Sequence, residues 1–243
     1  SPSITMGTNG FTILKDGNTI TDQSTNSNNF SLGGGTLTKT EDNPSNVFAT
    51  VNPLDRGMVG TAPTIANGNN TWTSSGNGSG QNPIRGTIGN TTGKFYWEAK
   101  TSSNQNHLIG VCGSDTNMNF ETGSNNLLTY PNTTLYLTSG ATYKDGSQVT
   151  GSLTAVATDN IMQIAVDITN LKFYIGINGT WLNSADPAAG TNAPATLNSG
   201  ICYLPVCADY GYADTVTLKF NFGNGYFGTT AVSSAGTNAS GNG

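Results

Sequence analysis

Apolar side chains recur at every second position in the C-terminal two thirds of the chain. Phe95, Trp97 and Ala99; Met162, Ile164, Val166 and Ile168; Leu171, Phe173 and Ile175; and Val216, Leu218, Phe220 and Phe222 each form a row at period two, the spacing that lines one face of a β-strand. Apolar residues do not repeat at three and four in any window with caps, and glycine or asparagine interrupts nearly every stretch of ten, so helices are not expected. The pattern predicts strands over Lys94–Thr101, His107–Cys112, Ile161–Thr169, Leu171–Ile177, Ile201–Ala208 and Thr215–Phe222, all rich in β-branched and aromatic residues. The alternate face of the last strand carries Thr215, Thr217, Lys219 and Asn221. A polar outer face of this kind fits an antiparallel sandwich whose apolar rows meet in one core, rather than a doubly covered parallel sheet.

The rest of the chain divides around this block. Residues 1–42 carry few large apolar groups and many turn formers, and read as an extended arm whose short β-like pieces, FTIL and TLTKT, are suited to pair with a neighbour. Residues 43–227 form the sandwich, and residues 228–243, low in bulk, read as a flexible C-terminal segment. In DITNLKFYIGINGTW the Asn178-Gly179 pair predicts a two-residue hairpin turn, which leaves the loop Asn183–Thr196 as the place where recognition is cheap to build.

Charge narrows the function. Only 9% of residues are charged and the net charge is -5, with nine Lys and Arg set singly along the chain. Nothing resembles a basic stripe for a phosphate backbone, so nucleic acid is not an expected partner. Membrane insertion is not expected either, since no apolar run approaches the roughly 18 to 20 residues that span a bilayer. The three cysteines, Cys112, Cys202 and Cys207, are an odd count without a CxxC spacing, and read as buried thiols rather than a disulfide framework.

Catalytic chemistry finds little to work with. The glutamates Glu41, Glu98 and Glu121 do not form the close carboxylate pair that glycoside hydrolysis uses. The one histidine, His107, opens an apolar strand, and no nucleophile elbow, phosphate-cradling glycine loop or HExxH helix is present. No enzyme activity and no cofactor are expected. Asp115, Asn117, Asn119 and Glu121 alternate through Gly113–Gly123 in a spacing reminiscent of calcium loops, but the EF-hand is not completed and a solvated polar loop is expected, with no metal.

Binding is what such a surface permits, because tyrosine and tryptophan supply rigid contact area at low entropic cost. The candidates are Tyr130 and Tyr136 in YPNTTLYL, Tyr143 and Asp145 at the KDG turn, Trp181 after the hairpin, Asp186 in the following loop, and Asp209, Tyr210 and Tyr212 in ADYGYAD. Trp181 either caps the end of the sandwich or offers its ring to a ligand. The tyrosines either contact a partner or pack.

Three segments together carry a family pattern: NPSNVFATVNPL (Asn43–Leu54), IRGTIGNTTGKFYWEAK (Ile84–Lys100), and DNIMQIAVDITNLKFYIGINGTW with YLPVCADYGYADTVTLKFNFG. They resemble the SPRY (B30.2-like) domain in the form found in structural and tail proteins of bacteriophages. The resemblance covers Asn43–Gly223 and implies a concanavalin-like β-sandwich that meets ligands through loops at one edge. It further implies a non-enzymatic protein at the virion surface, in a tail fibre or adhesin-like appendage that recognises a host glycan or protein. The other reading it leaves open is a structural capsid decoration or fibre subunit that contacts its own assembly. Either way the expected partners are copies of itself and other virion proteins.

Overall fold

The computed structural model describes residues 5–13, 20–34, 47–57, 61–75, 81–118, 126–210 and 215–233. Among them are seventeen strands and two short 3-10 turns, with no α-helix. One sheet holds seven strands: β1 (Val51–Arg56), β4 (Ile84–Gly86), β6 (His107–Gly113), β7 (Thr133–Leu137), β8 (Ala141–Lys144), β9 (Ser147–Thr150) and β14 (Tyr203–Asp209), in the order β1-β4-β14-β6-β7-β8-β9. The other holds eight: β2 (Thr64–Ala66), β3 (Thr71–Thr73), β5 (Lys94–Thr101), β10 (Ile161–Asp167), β11 (Lys172–Ile177), β12 (Thr180–Trp181), β13 (Ala195–Thr196) and β15 (Thr217–Asn221). Its order is β12-β11-β10-β5-β15-β3-β2, with β13 paired to β11. Every pairing among the described strands is antiparallel, and short hairpin turns join β2 to β3, β7 to β8, β8 to β9, β10 to β11 and β11 to β12.

The alternating rows do meet. Trp97, Ala99, Met162, Ile164, Val166, Phe173, Ile175, Leu218 and Phe220 share one core cluster with Ile109, Val111 and Cys207 from the facing sheet. Phe95, expected in that row, is 37% exposed, because it stands at the first turn of β5 where the sandwich opens. The Asn178-Gly179 turn has positive φ at both residues, 48° and 86°, the geometry that matches hairpin twist. The polar outer row of β15 is half-buried at Thr217, Lys219 and Asn221.

The seven-stranded sheet departs from a simple wet-outside arrangement. All seven residues of β6 are buried, since a second apolar cluster of Leu108, Cys112, Leu127, Leu128, Leu135 and Val206 covers its outer face. Continuous apolar runs such as HLIGVC are what burial on both faces demands. Of the cysteines, Cys112 and Cys207 are buried free thiols, whereas Cys202 is only half-buried. Past the expected domain boundary at residue 227, β16 (Tyr226–Phe227) pairs with β17 (Thr230–Ala231), so the start of the tail is a short hairpin.

The described part of the arm is tied together locally rather than drawn out. Asp22 is buried and accepts hydrogen bonds from the Thr12, Ser24 and Asn28 amides and the Ser24 hydroxyl, while Phe11 and Phe30 meet edge to face at 4.6 Å. The Thr12 amide, with the Ser24 and Asn28 donors and against burial, lowers the Asp22 carboxyl to about 2.

His107 gives the fold a pH dependence. Its side chain is fully buried, its Nδ1 lies 2.8 Å from the Gln105 carbonyl, and Nε2 has no partner among the described residues. Burial depresses its pKa to about 4, against a raising contribution from Gln105. The folded value lies below the unfolded one near 6.5, so the unfolded chain takes up the proton first and stability falls as pH drops from about 6.5 to 4, by about 3 kcal/mol. Tm measured across that window should fall in the wild type and flatten in His107→Gln. Below it the depressed carboxyl of Asp22 adds a further loss as it protonates.

Candidate functional site

The outer face of the eight-stranded sheet is organised by cross-strand register. Asp167 pairs with Lys94 on one side and Lys172 on the other; Ala165 pairs with Tyr96 and Tyr174; Gln163 pairs with Glu98 and Gly176, and Gly176 with Trp181. Three parallel rows result, and the middle one sets a methyl group between two tyrosine rings. The small Ala165 side chain leaves a trough there.

Gly176 seats the indole. A Cβ at this position would lie 3.1 Å from Trp181 Cε3 and 3.2 Å from Gln163 Oε1, so the bare glycine lets the ring lie against the sheet. Tyr96, half exposed, meets Trp181 edge-on at 6.3 Å and donates its hydroxyl to Glu98. Beyond the indole, Asp186 Oδ1 accepts from the Ala188 and Ala189 amides at 2.9 and 3.0 Å and fixes the Asp186–Ala188 turn as the cleft's far wall. The cleft so formed has a volume of about 390 Å³ and is lined also by Lys94 and Asp167, which pair at 3.5 Å. Burial pushes the Asp167 carboxyl up, but hydrogen bonds from Asn170 and the Lys94 ammonium outweigh it and hold the group below its ordinary value.

Tyr174 lies on this outer face and yet is 1% exposed. Trp181 and the Asp186–Ala188 turn line the same cleft. The Tyr174 hydroxyl has no hydrogen-bond partner among the described residues. Burial, then the charges of Asp167 and Asp186, raise its pKa.

Of the residues singled out in the sequence, Trp181 and Asp186 come together here. The others lie elsewhere. Tyr136 is not a loop residue: it is fully buried in β7 and donates its hydroxyl to the Thr154 carbonyl, because the run TTLYL is a central strand. Asp209 is likewise 1% exposed, its carboxylate accepting from the Asn82 amide at 2.5 Å, so it fastens a loop to the end of β14. Tyr130, Tyr143 and Tyr210 are half-buried around the second apolar cluster on the opposite sheet. Asp145 sits exposed in the β8–β9 turn at φ 48°, accepting from Asn198 at 2.8 Å. Tyr212 lies outside the described residues. The loop considered for calcium is described as far as Met118; there Arg85 already occupies the Gly113 and Thr116 carbonyls at 2.7 and 2.8 Å. Among the described residues no cluster of three or more His, Cys, Asp or Glu is placed to hold a metal.

Tyr96, Ala165 and Tyr174 were not among the sequence candidates. The signal was present in the alternation itself, since placing Trp97, Val166 and Phe173 inward puts their neighbours outward, but sharing a row depends on register. A second cleft, of about 250 Å³, opens between the two sheets beside Phe95, Trp97, Val111, Val166 and Tyr203. Its rim carries the exposed apolar side chains Val47, Ile88 and Phe95.

No family model and no curated protein matches the sequence. Solved structures do match. The SPRY domain of human HERC1 aligns with a TM-score of 0.54 at 15% identity, over 70% of this chain and 96% of that one. The structure of stonustoxin aligns with a TM-score of 0.51, also at 15% identity, over 72% of this chain and only 27% of the toxin chain. Identity this low speaks for the fold and not for what either protein does. The chain is an all-β, antiparallel, concanavalin-like sandwich with the SPRY-like fold.

Proposed function

We propose that this protein is a non-enzymatic binding module at the surface of a bacteriophage virion, part of a tail fibre or adhesin-like appendage that recognises a host glycan or protein. The observation that carries the binding role is the cleft on the outer face of the eight-stranded sheet, where Tyr96 and Trp181 offer aromatic surface beside the fixed carboxylates of Asp167 and Asp186. Aromatic rings flanked by a few oriented polar groups are how protein surfaces hold sugars and peptide side chains. The virion setting rests on the segment resemblance through Asn43–Gly223. A glycan array probed with the full chain, together with binding of the labelled chain to intact bacterial cells, tests the reading. Retention of a saccharide or of a cell-surface component is the expected result, and retention of neither would remove it.

The apolar rim favours a second reading, a capsid decoration or fibre subunit that contacts its own assembly. Val47 is 77% exposed and Leu54 96%, and in the arm Phe11 and Phe30 are 47% and 43% exposed. Surfaces of this kind are commonly covered by another chain. Light scattering at equal concentration should then show a larger assembly for the full chain than for one lacking residues 1–42. Identical, well-folded monomers would leave the arm without an assembly role.

A further inference from the structure

We propose that the outer-face cleft is a subsite for a neutral hexose, with the sugar's C–H face against Tyr96 and Trp181 and its hydroxyls between Tyr174 and Asp186, and that it rejects acidic sugars. This rests on the binding-module reading above and gives it a ligand class and a place.

A buried phenol with no partner is costly to keep, and the Tyr174 hydroxyl has none among the described residues. Tyr174 lines the cleft with its hydroxyl out of reach of water in the ligand-free chain, so a ligand hydroxyl bonds it only as the cleft opens, and there can both accept from it and donate to it. Asp186 supplies the complementary acceptor. Its Oδ1 is engaged by two backbone amides, which holds the carboxylate in place and leaves Oδ2 for a sugar hydroxyl. A polyhydroxylated ring satisfies both demands at once, while its C–H surface suits an aromatic platform.

Charge sets the class. The side chains that line the cleft include two carboxylates, Asp167 and Asp186, against one ammonium, Lys94, already paired with Asp167. Lys172, the other cation of that row, donates instead to the Gly190 carbonyl. Burial, and after it those same two carboxylates, raise the Tyr174 hydroxyl, in keeping with the excess of carboxylates along the cleft. A sialic or uronic acid would bring a further negative charge into it, at a cost that grows as water leaves.

The experiment uses the full chain. An array bearing neutral hexose, sialic acid and uronic acid termini gives the class, and titration with a retained neutral oligosaccharide gives the site. Trp72 and Trp97 are 0% and 4% exposed, so a ligand-induced change in tryptophan emission reports on Trp181. Neutral glycans should be retained and acidic ones not. Tyr174→Phe should weaken binding about tenfold with Tm unchanged or raised, since it removes an unmatched hydroxyl, and Trp181→Ala, which also removes the emission reporter, should lose retention of the neutral glycan on the array. Preference for acidic glycans would overturn the class. Undiminished binding by both variants would overturn the site while leaving the binding module standing, and failure to retain any saccharide would overturn the proposal together with the glycan half of the function.

Discussion

Gly110→Ala should cost about 4 kcal/mol or more, an exceptional loss for removing no interaction at all. Gly110 sits in the middle of β6, paired with Leu135 of β7 on one side and Val206 of β14 on the other. A Cβ there would lie 2.2 Å from the Thr134 carbonyl oxygen and 3.0 Å from Leu135 Cα. Both obstacles are backbone, so no side chain can swing aside. Relief requires β7 to move away from β6, and strands hydrogen-bonded at about 4.8 Å cannot separate without losing the ladder. Every residue of β6 is buried, so the displacement would reach both apolar clusters. Gly179→Ala is the control. Its added methyl meets nothing within 4 Å and its φ of 86° brings only the conformational penalty, roughly 1–2 kcal/mol. Denaturant unfolding of the two variants separates them; a loss below about 1 kcal/mol at Gly110 would mean that the two strands can part more easily than this packing allows.

The sandwich was legible in the sequence because period two survives in it. The rows through Ile164, Phe173 and Leu218 could be read one strand at a time, and each points to the core as read. Phe95 obeys the same alternation and is nevertheless 37% exposed, because alternation says which face a residue takes and not where the opposing sheet stops. The tyrosines show a related limit. Tyr136 and Asp209 lie near turn-forming residues, which suggested exposure, but hydrogen bonds to Thr154 and Asn82 bury both. Tyr130, Tyr143 and Tyr210 cover apolar residues of β6, β7 and β14. The unbroken run HLIGVC already implied that something must do so. The outer-face cleft was hardest to see. It depends on Ala165 lying between Tyr96 and Tyr174 and on Gly176 lying under Trp181, contacts between segments up to about eighty residues apart that no local pattern encodes.

Phe173→Ala and Phe220→Ala should each cost about 3–5 kcal/mol, through lost transfer free energy and the cavity left behind. Phe173 is fully buried and Phe220 is 2% exposed, and Phe220 stacks on Phe222 with ring centroids 5.2 Å apart, so neither site can collapse cheaply. Phe95→Ala, at the open end of the same sheet, should cost far less, because much of that ring is already in water. Loss of under about 1 kcal/mol at both core positions would show that the two sheets do not share the core described. The neighbours Phe173 and Tyr174 sharpen the comparison, because consecutive residues of β11 point to opposite faces of the sheet. Truncating the first should lower stability and impair ligand retention only as the folded fraction falls. Removing one oxygen from the second should leave stability intact and weaken retention directly. If the two variants instead lost stability and binding in the same proportion, the outer face would be no more than the back of the core, and the cleft would have no recognition role of its own.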